Sequence, residues 1–155
     1  MAVAPIPPGY ASVTPYIIVR DAKKAIDFYQ RAFGAVELFR LEGPDDKIAH
    51  AEIRIGNSPV MLAEGMSDNP DPLTLGGTAV SFMVYVPDVD AAFARAIAAG
   101  GTVKRPVANQ FYGDRTGTLA DPFGHVWSIG THVEDVAPEE MDRRMKEMMK
   151  PTTTA

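Results

Sequence analysis

The sequence predicts an α+β fold in which two similar modules, each a strand, a helix and three further strands, are followed by a C-terminal helix. One observation is an internal repeat at a spacing of 67 residues, which superposes residues 19–21 on residues 86–88 and Gly34 on Gly101. The other is the strict alternation of apolar and polar residues over 49–55, which is typical of a half-buried strand. Together they predict paired βαβββ modules.

Composition indicates one globular domain over residues 1–155, because 46% of the residues are hydrophobic and 23% are charged. The net charge of −5 gives no electrostatic footprint for nucleic acid or an anionic membrane. No apolar run approaches the roughly 18 residues of a membrane helix, and the first residues lack the pattern of a signal peptide. With no cysteine, disulfides, thiolate catalysis and cysteine-ligated zinc are excluded. We therefore expect a cytoplasmic protein that binds neither nucleic acid nor membrane.

Module one is predicted over residues 12–64, after an extended proline-rich arm over 1–11. Asp21 is expected to cap the helix and Gly34 to end it, since these residue types prefer those positions. The predicted elements are a strand at 13–19, a helix at 22–33 and strands at 36–41, 49–55 and 60–63.

A segment rich in Gly, Pro, Asp and Asn, residues 65–78, is predicted to be a linker. Module two then spans residues 79–131, with a strand at 80–86, a helix at 91–99, a short strand at 102–105 and a hairpin ending at 129. In the hairpin, Asp121-Pro122-Phe123-Gly124 has the residues of a tight turn. The C-terminal helix is predicted over 137–149, and its methionine stripe suits packing against a core or against a second chain.

A βαβββ module can bury only the sheet face that carries its helix. The sequence therefore predicts that the two open faces pair and enclose a cleft. In the strand over 49–55, Ala51, Ile53 and Ile55 face the helix, so His50, Glu52 and Arg54 should point into this cleft.

His50 and Glu52 are candidate catalytic residues, with His50 as a general base that Glu52 orients, or as a pair that binds a metal in a non-standard way. The alternative interpretation is a solvated or mutually hydrogen-bonded pair at the rim of the cleft. Both interpretations remain open at this point.

Tyr112, Asp114 and Arg115 form a second candidate group. The Arg115 guanidinium would clamp a substrate carboxylate or phosphate in a bidentate manner, with Tyr112 as a hydrogen-bond donor or acid. The alternative is that Asp114 and Arg115 pair with each other, or with loop carbonyls, to order a glycine-rich segment. His125 has the strand parity of Trp127 and is expected to be packed against the helix layer.

The predicted lining of the cleft mixes apolar, aromatic and hydroxyl side chains and suits an aromatic or amphipathic ligand. The predicted ligand-binding residues are Tyr16, Arg54, Met61, Ser81, Met83, Tyr85, Asp114 and Ser128. GxGxxG, Walker, GxSxG and HExxH motifs are absent from the sequence, so nucleotide binding, serine hydrolysis and zinc proteolysis have no support.

The segments PYIIVRDAKKAIDFYQRAFGA and DPFGHVWSI, within the repeated βαβββ plan, resemble the vicinal oxygen chelate superfamily, which includes glyoxalase I, bleomycin-resistance proteins and extradiol dioxygenases. The segments AIDFYQRAFGA, HAEIRIG, YGDRTGTLADPFGHVW and THVEDVAPEEMDRR look more closely like the PhnB-like branch. The resemblance covers residues 13 to about 146 and implies the glyoxalase/bleomycin resistance-like fold.

The resemblance also implies where a divalent metal would be held. The superfamily's ligand positions correspond here to Thr14, Met61, Ser81 and Ser128. None is a histidine or a carboxylate, whereas such a metal needs several of those donors. We therefore predict no metal site and no cofactor.

These observations lead to a small-molecule binding protein of the bleomycin-resistance type, with its ligand in the cleft between the modules. The alternative is an enzyme of the same superfamily, a lyase, isomerase or dioxygenase-like protein that uses His50 and Glu52 with or without a divalent metal. A third possibility is an interaction module. The superfamily's usual pairing and the methionine-bearing helix predict a homodimer.

Overall fold

The computed structural model describes residues 3–150 and contains the two predicted four-stranded sheets, each with a helix on one face. The sheet orders are β1-β4-β3-β2 and β5-β8-β7-β6, and in both sheets the first and last strands of the module pair in parallel. The helices are α1 (Ala22–Phe33), α2 (Pro72–Leu75), α3 (Val89–Ala98) and α4 (Pro138–Met148), with a 3-10 turn at Pro44–Asp46. The strands are β1 (Tyr16–Val19), β2 (Val36–Glu42), β3 (Ile48–Ile55), β4 (Ser58–Glu64), β5 (Ser81–Tyr85), β6 (Thr102–Asn109), β7 (Asp114–Ala120) and β8 (Val126–His132).

The repeat is visible in the helix caps. Asp21 and Asp88 have nearly the same backbone angles, φ −143° and ψ 97° against φ −136° and ψ 97°. Each carboxylate accepts a hydrogen bond from the amide three residues later, at 3.1 Å from Lys24 and 3.0 Å from Ala91. The two modules therefore start their helices by the same N-cap.

The predicted register is correct for the outer strands and shifts by one residue in the middle. Tyr16 pairs with Met61 and Met83 with Ser128, which preserves the spacing of 67. Thr118 also pairs with Ser128, although Glu52, its equivalent beside Met61, is only 66 residues away. The prediction of a register without gaps was wrong because the β7–β8 turn is longer than the β3–β4 turn.

Within the predicted linker over 65–78, one helical turn is ordered by a carboxylate. The Asp71 side chain accepts from the amides of Leu73 and Thr74 at 3.0 and 3.3 Å, and Pro72 occupies the first turn. Composition predicted the polar, proline-containing character of this segment but missed its cap. The predicted short strand at 102–105 was also too short, since β6 continues to Asn109.

The two modules meet on the helix side of their sheets. α1 packs against α3, and one hydrophobic core runs through both modules. Its centre is aromatic, with the Trp127 ring 5.5 Å from Tyr29 and 4.8 Å from Phe33 between centroids, and Phe28 beside Phe123 at 6.2 Å.

The predicted pairing of the open faces therefore does not occur within the chain. Tyr16, Phe39 and Leu41 of module one are 47–51% exposed, and Tyr85 of module two is 62% exposed. The reason is that the helices bury aromatic side chains on the side that faces the other module, and this leaves the opposite sheet faces to solvent.

A buried carboxylate joins the modules at the end of β7. The Asp121 side chain is 5% exposed and accepts hydrogen bonds from the Tyr29 hydroxyl at 2.6 Å and the Trp127 indole N–H at 2.9 Å. It also accepts from the amides of Phe123 and His125, both at 2.9 Å, within the predicted turn. Burial raises the pKa of Tyr29 well above its ordinary value, and the Asp121 charge adds to this.

α4 is attached to the body mainly by polar contacts. The Arg144 guanidinium donates to Glu134 at 2.7 and 2.9 Å and to the Phe111 carbonyl at 3.3 Å. No α4 residue is buried, and Met145 and Met148 are 42% and 67% exposed. Between residues 3 and 150, no helix is long and apolar enough to cross a bilayer.

Replacing Asp121 should destabilise the fold more than removing an ordinary helix cap. Asp121→Ala leaves two buried donors, Tyr29 and Trp127, without an acceptor, at about 1–3 kcal/mol each in the free energy of unfolding. Urea denaturation would measure the loss. Asp88→Ala is the control and should cost about 1 kcal/mol. An Asp121→Ala loss no larger than the control would contradict the role assigned to this carboxylate.

Candidate functional site

A groove of about 900 Å³ lies between the two modules. Module one contributes the N-terminal arm around Tyr10 and Val13 and the β3–β4 turn, and module two contributes the edge strand β5 and Trp127. Ser81, Met83 and Tyr85, which the sequence predicted as ligand-binding residues, all line it. The groove is thus bounded by an arm, a turn and a strand edge.

A second and smaller pocket, of about 150 Å³, lies on the open face of the module two sheet. Three of the candidate residues line it: Met83, Tyr112 and Ser128. The sequence did not single out the others, which are Arg105, Gln110, Thr116 and Thr118. The signal that would have found Thr116 and Thr118 is the β7 pairing with β8, because Thr118 lies directly opposite Ser128.

On the open face of module one, His50 and Glu52 form part of a hydrogen-bonded chain. The Tyr16 hydroxyl lies 2.9 Å from His50 Nδ1, and His50 Nε2 lies 3.1 Å from a Glu52 oxygen. The other Glu52 oxygen accepts a hydrogen bond from the Tyr10 hydroxyl. The His50 and Glu52 side chains are 22% and 18% exposed. The structure brings them together as predicted, with Tyr16 and Tyr10 as further members.

Arg115 and Asp114 have other partners than those considered from the sequence. The Arg115 guanidinium makes a bidentate ion pair with Asp90, at 2.8 Å for both contacts, and also donates to Asn109. Asp114 points to the other face of the strand, where its carboxylate accepts from the Tyr85 hydroxyl at 2.7 Å. Neither residue pairs with the other, and Arg115 already holds a carboxylate.

The remaining predicted site residues lie apart from both pockets. Met61 stands between Glu52 and Tyr16 in the cross-strand register, and Arg54 is exposed near the end of β3. His125 is 7% exposed, as expected for a packed residue, and its Nε2 lies 2.8 Å from the Ile18 carbonyl oxygen. It therefore connects the two modules.

His132, for which the sequence offered no motif, lies between two carboxylates at the end of β8. Its Nδ1 is 2.7 Å from Asp114 and its Nε2 is 2.9 Å from Asp135. The pKa of His132 is raised above its ordinary value, first by the hydrogen bond to Asp135 and then by that to Asp114. Burial opposes ionisation of Asp114, but hydrogen bonds from His132 and Tyr85 outweigh it and lower the pKa of that carboxyl.

This cluster should make stability depend on pH. Because the folded-state pKa of His132 is raised, its stabilising contribution is complete below about pH 6.5 and is lost as pH rises through the raised pKa. His132→Gln should therefore lower the free energy of unfolding most at about pH 5–6 and less at about pH 9. Urea denaturation at the two pH values and an NMR titration of the imidazole would measure this. An imidazole pKa at or below about 6.5 would contradict it.

The four positions at which the superfamily's resemblance implies a metal do not suit one. Thr14 donates to the Ala11 carbonyl at 3.3 Å, and Ser128 shares a hydrogen bond of 2.9 Å with Thr118. Ser81 and Met61 complete a set of hydroxyls and a thioether, which are poor donors for a divalent metal that prefers carboxylate or imidazole. Within residues 3–150 no group of three or more His, Asp or Glu residues could hold a metal ion. No catalytic step is derived through such an ion.

The fold and both pockets agree with a comparison of the chain with known protein families. Residues 9–129 match the sequence model of the Glyoxalase/Bleomycin resistance protein/Dioxygenase superfamily, so the chain belongs to this superfamily.

Among curated proteins, the uncharacterized protein Rv0887c of Mycobacterium tuberculosis is 45% identical over 139 residues, which cover 86% of this chain and 82% of that protein. The protein YjdN of Escherichia coli K12 is 26% identical over 138 residues, with 76% and 92% of the two chains covered.

Among solved structures, TioX from Micromonospora sp. ML1 superposes with a TM-score of 0.63 at 26% identity, covering 82% of this chain and all of that one. The PhnB protein from Bacillus cereus superposes with a TM-score of 0.61 at 17% identity, covering 78% and 99%, and at that identity shares the fold alone.

Proposed function

We propose that the protein binds a small molecule in the groove between its two modules. The groove volume of about 900 Å³ carries this proposal, because ligand pockets of proteins commonly measure about 300–1,000 Å³. Its walls come from both modules, so a ligand would contact the arm, the β3–β4 turn and β5 together.

The lining favours an aromatic or amphipathic ligand. Phe82, Val84 and Trp127 offer apolar surface, and Ser81 and the Tyr10 hydroxyl are polar groups at its edge. Such a mixture of mainly apolar walls and a few polar groups is typical of small-molecule sites.

A ligand screen by thermal shift, with divalent metals and with chelator, would test this function. A compound that binds the folded protein at a hundred times its Kd adds about 2.7 kcal/mol to the free energy of unfolding and raises Tm. Ser81→Trp should fill the groove and weaken the effect of such a compound at least tenfold in Kd. Thr102→Trp, on the exposed edge strand β6, is the control and should leave Kd unchanged. Equal binding by Ser81→Trp and wild type would contradict the groove as the site.

A second candidate function is favoured by the hydrogen-bonded chain on module one. In Tyr16–His50–Glu52, a carboxylate, an imidazole and a phenol are arranged in series, and the Tyr16 end is half-exposed. This order would let Glu52 orient His50 and let His50 take a proton from Tyr16 or from a substrate bound beside it. The activity would be that of a lyase, isomerase or dioxygenase-like enzyme of the superfamily.

The chain of hydrogen bonds can be tested once a turnover is detected. His50→Gln keeps a polar side chain but removes the titrating imidazole, and should reduce kcat at least a hundredfold, as for a general base. Arg54→Gln, on the same face and outside the chain, is the control. Undiminished turnover by His50→Gln would exclude the acid–base mechanism.

We also propose that the protein is a homodimer. The open sheet faces and the methionines of α4 expose apolar side chains, of which Tyr16, Leu41, Tyr85 and Met148 are 51–67% exposed. Exposed apolar clusters of this kind mark association surfaces. Sedimentation velocity should give twice the monomer mass, and a monomer mass at all concentrations would contradict the proposal.

Within the superfamily we place the chain in the PhnB-like branch on the strength of its sequence motifs, and this placement is a proposal. The cytoplasmic location, the absence of a cofactor and the absence of nucleic-acid binding also stay predictions from the sequence.

A further inference from the structure

The small pocket on module two is built from one row of directly paired residues across the sheet. Arg105 of β6 lies opposite Thr118 of β7, Thr118 opposite Ser128 of β8, and Ser128 opposite Met83 of β5. The strand neighbours of this row, Leu119 and Trp127, are buried on the helix side. The row therefore stands on the open face, where a ligand has access.

Hydrogen-bond donors dominate this pocket. Thr118 and Ser128 share one hydrogen bond of 2.9 Å, so two hydroxyl protons supply a single bond and one O–H remains to donate. The hydroxyls of Tyr112 and Thr116 have no hydrogen-bond partner among residues 3–150. Of the described side chains that line the pocket, none is a carboxylate.

Arg105 is the cation of the pocket and is not neutralised. Within the described part of the chain it forms no ion pair, whereas Arg20, Arg31, Arg40 and Arg115 each hold a carboxylate. A planar guanidinium beside several hydroxyl donors matches the oxygens of a carboxylate or phosphate.

The size and position of the pocket indicate a head group rather than a whole ligand. Its volume of about 150 Å³ is below that of ordinary ligand pockets, and Met83 lines both this pocket and the groove. Gly130 makes room for Met83, because a Cβ at position 130 would lie 2.3 Å from the Met83 methyl carbon.

We propose that the pocket of Arg105, Thr118, Ser128 and Tyr112 binds an oxyanion group, a carboxylate or a phosphate, of the ligand whose apolar body occupies the groove. This inference rests on the proposed small-molecule binding and names the chemical class of the ligand. Arg105 supplies the charge and the hydroxyls orient the oxygens.

NMR titrations with benzoate, benzamide and inorganic phosphate, at one ionic strength, would test the proposal. Benzoate, phosphate or both should shift the amides of Thr116, Thr118 and Ser128 saturably, and benzamide, which lacks the charge, should bind at least tenfold more weakly than benzoate. Binding of benzoate alone would identify a carboxylate site, and binding of phosphate alone a phosphate site. Arg105→Gln should raise the Kd of the bound anion at least tenfold, and Lys104→Gln, which removes the adjacent charge outside the pocket, should not.

The proposal is overturned if benzamide binds as tightly as benzoate, if Arg105→Gln leaves the anion Kd unchanged, or if neither anion gives saturable shifts. Its failure is distinguishable from that of the groove. Neutral compounds that bind wild type but not Ser81→Trp would support the groove while anions ignore the pocket. Anion shifts without any groove compound would support the pocket alone.

Discussion

The arrangement of the two modules depends on one buried carboxylate. Asp121 accepts hydrogen bonds from Tyr29 of module one and from Trp127 of module two, and it also orders the turn between β7 and β8 through two amides. A buried carboxylate with this many donors has a stable place in a core that would otherwise exclude it. It fixes the aromatic cluster between the modules, and so fixes the groove on which the proposed function rests.

The same packing leaves both open sheet faces to solvent and lets them differ in chemistry. The row around Met61 contains Phe39, Glu52 and Tyr16, whereas the equivalent row around Ser128 contains the cation Arg105 and hydroxyl groups. Module one thus presents a carboxylate–imidazole–phenol chain and module two presents hydrogen-bond donors. A duplicated fold has therefore acquired two different surfaces, and the groove lies between the modules that carry them.

Much of the fold could be predicted because it depends on local patterns. The N-cap Asp21, the end at Gly34 and the alternation in β3 specify elements without long-range information, and the bounds of α1 were predicted to the residue. The site was predicted only in part. Met83, Tyr112 and Ser128 were named, but Arg105 and Thr118 were missed because their position opposite Ser128 depends on strand pairing, with irregularities on both sides of Arg105 in β6.

The sequence by itself determined the two modules, their helix caps, the alternation of their strands and their superfamily, because these follow from residue preferences and a repeat of 67 residues. Only the tertiary structure decided that the modules join through their helices, that Arg115 pairs with Asp90 and that Asp114 pairs with Tyr85 and His132. Each of these depends on contacts between segments far apart in the chain. Burial of apolar surface selects such contacts for the molecule as a whole, and no local pattern encodes them.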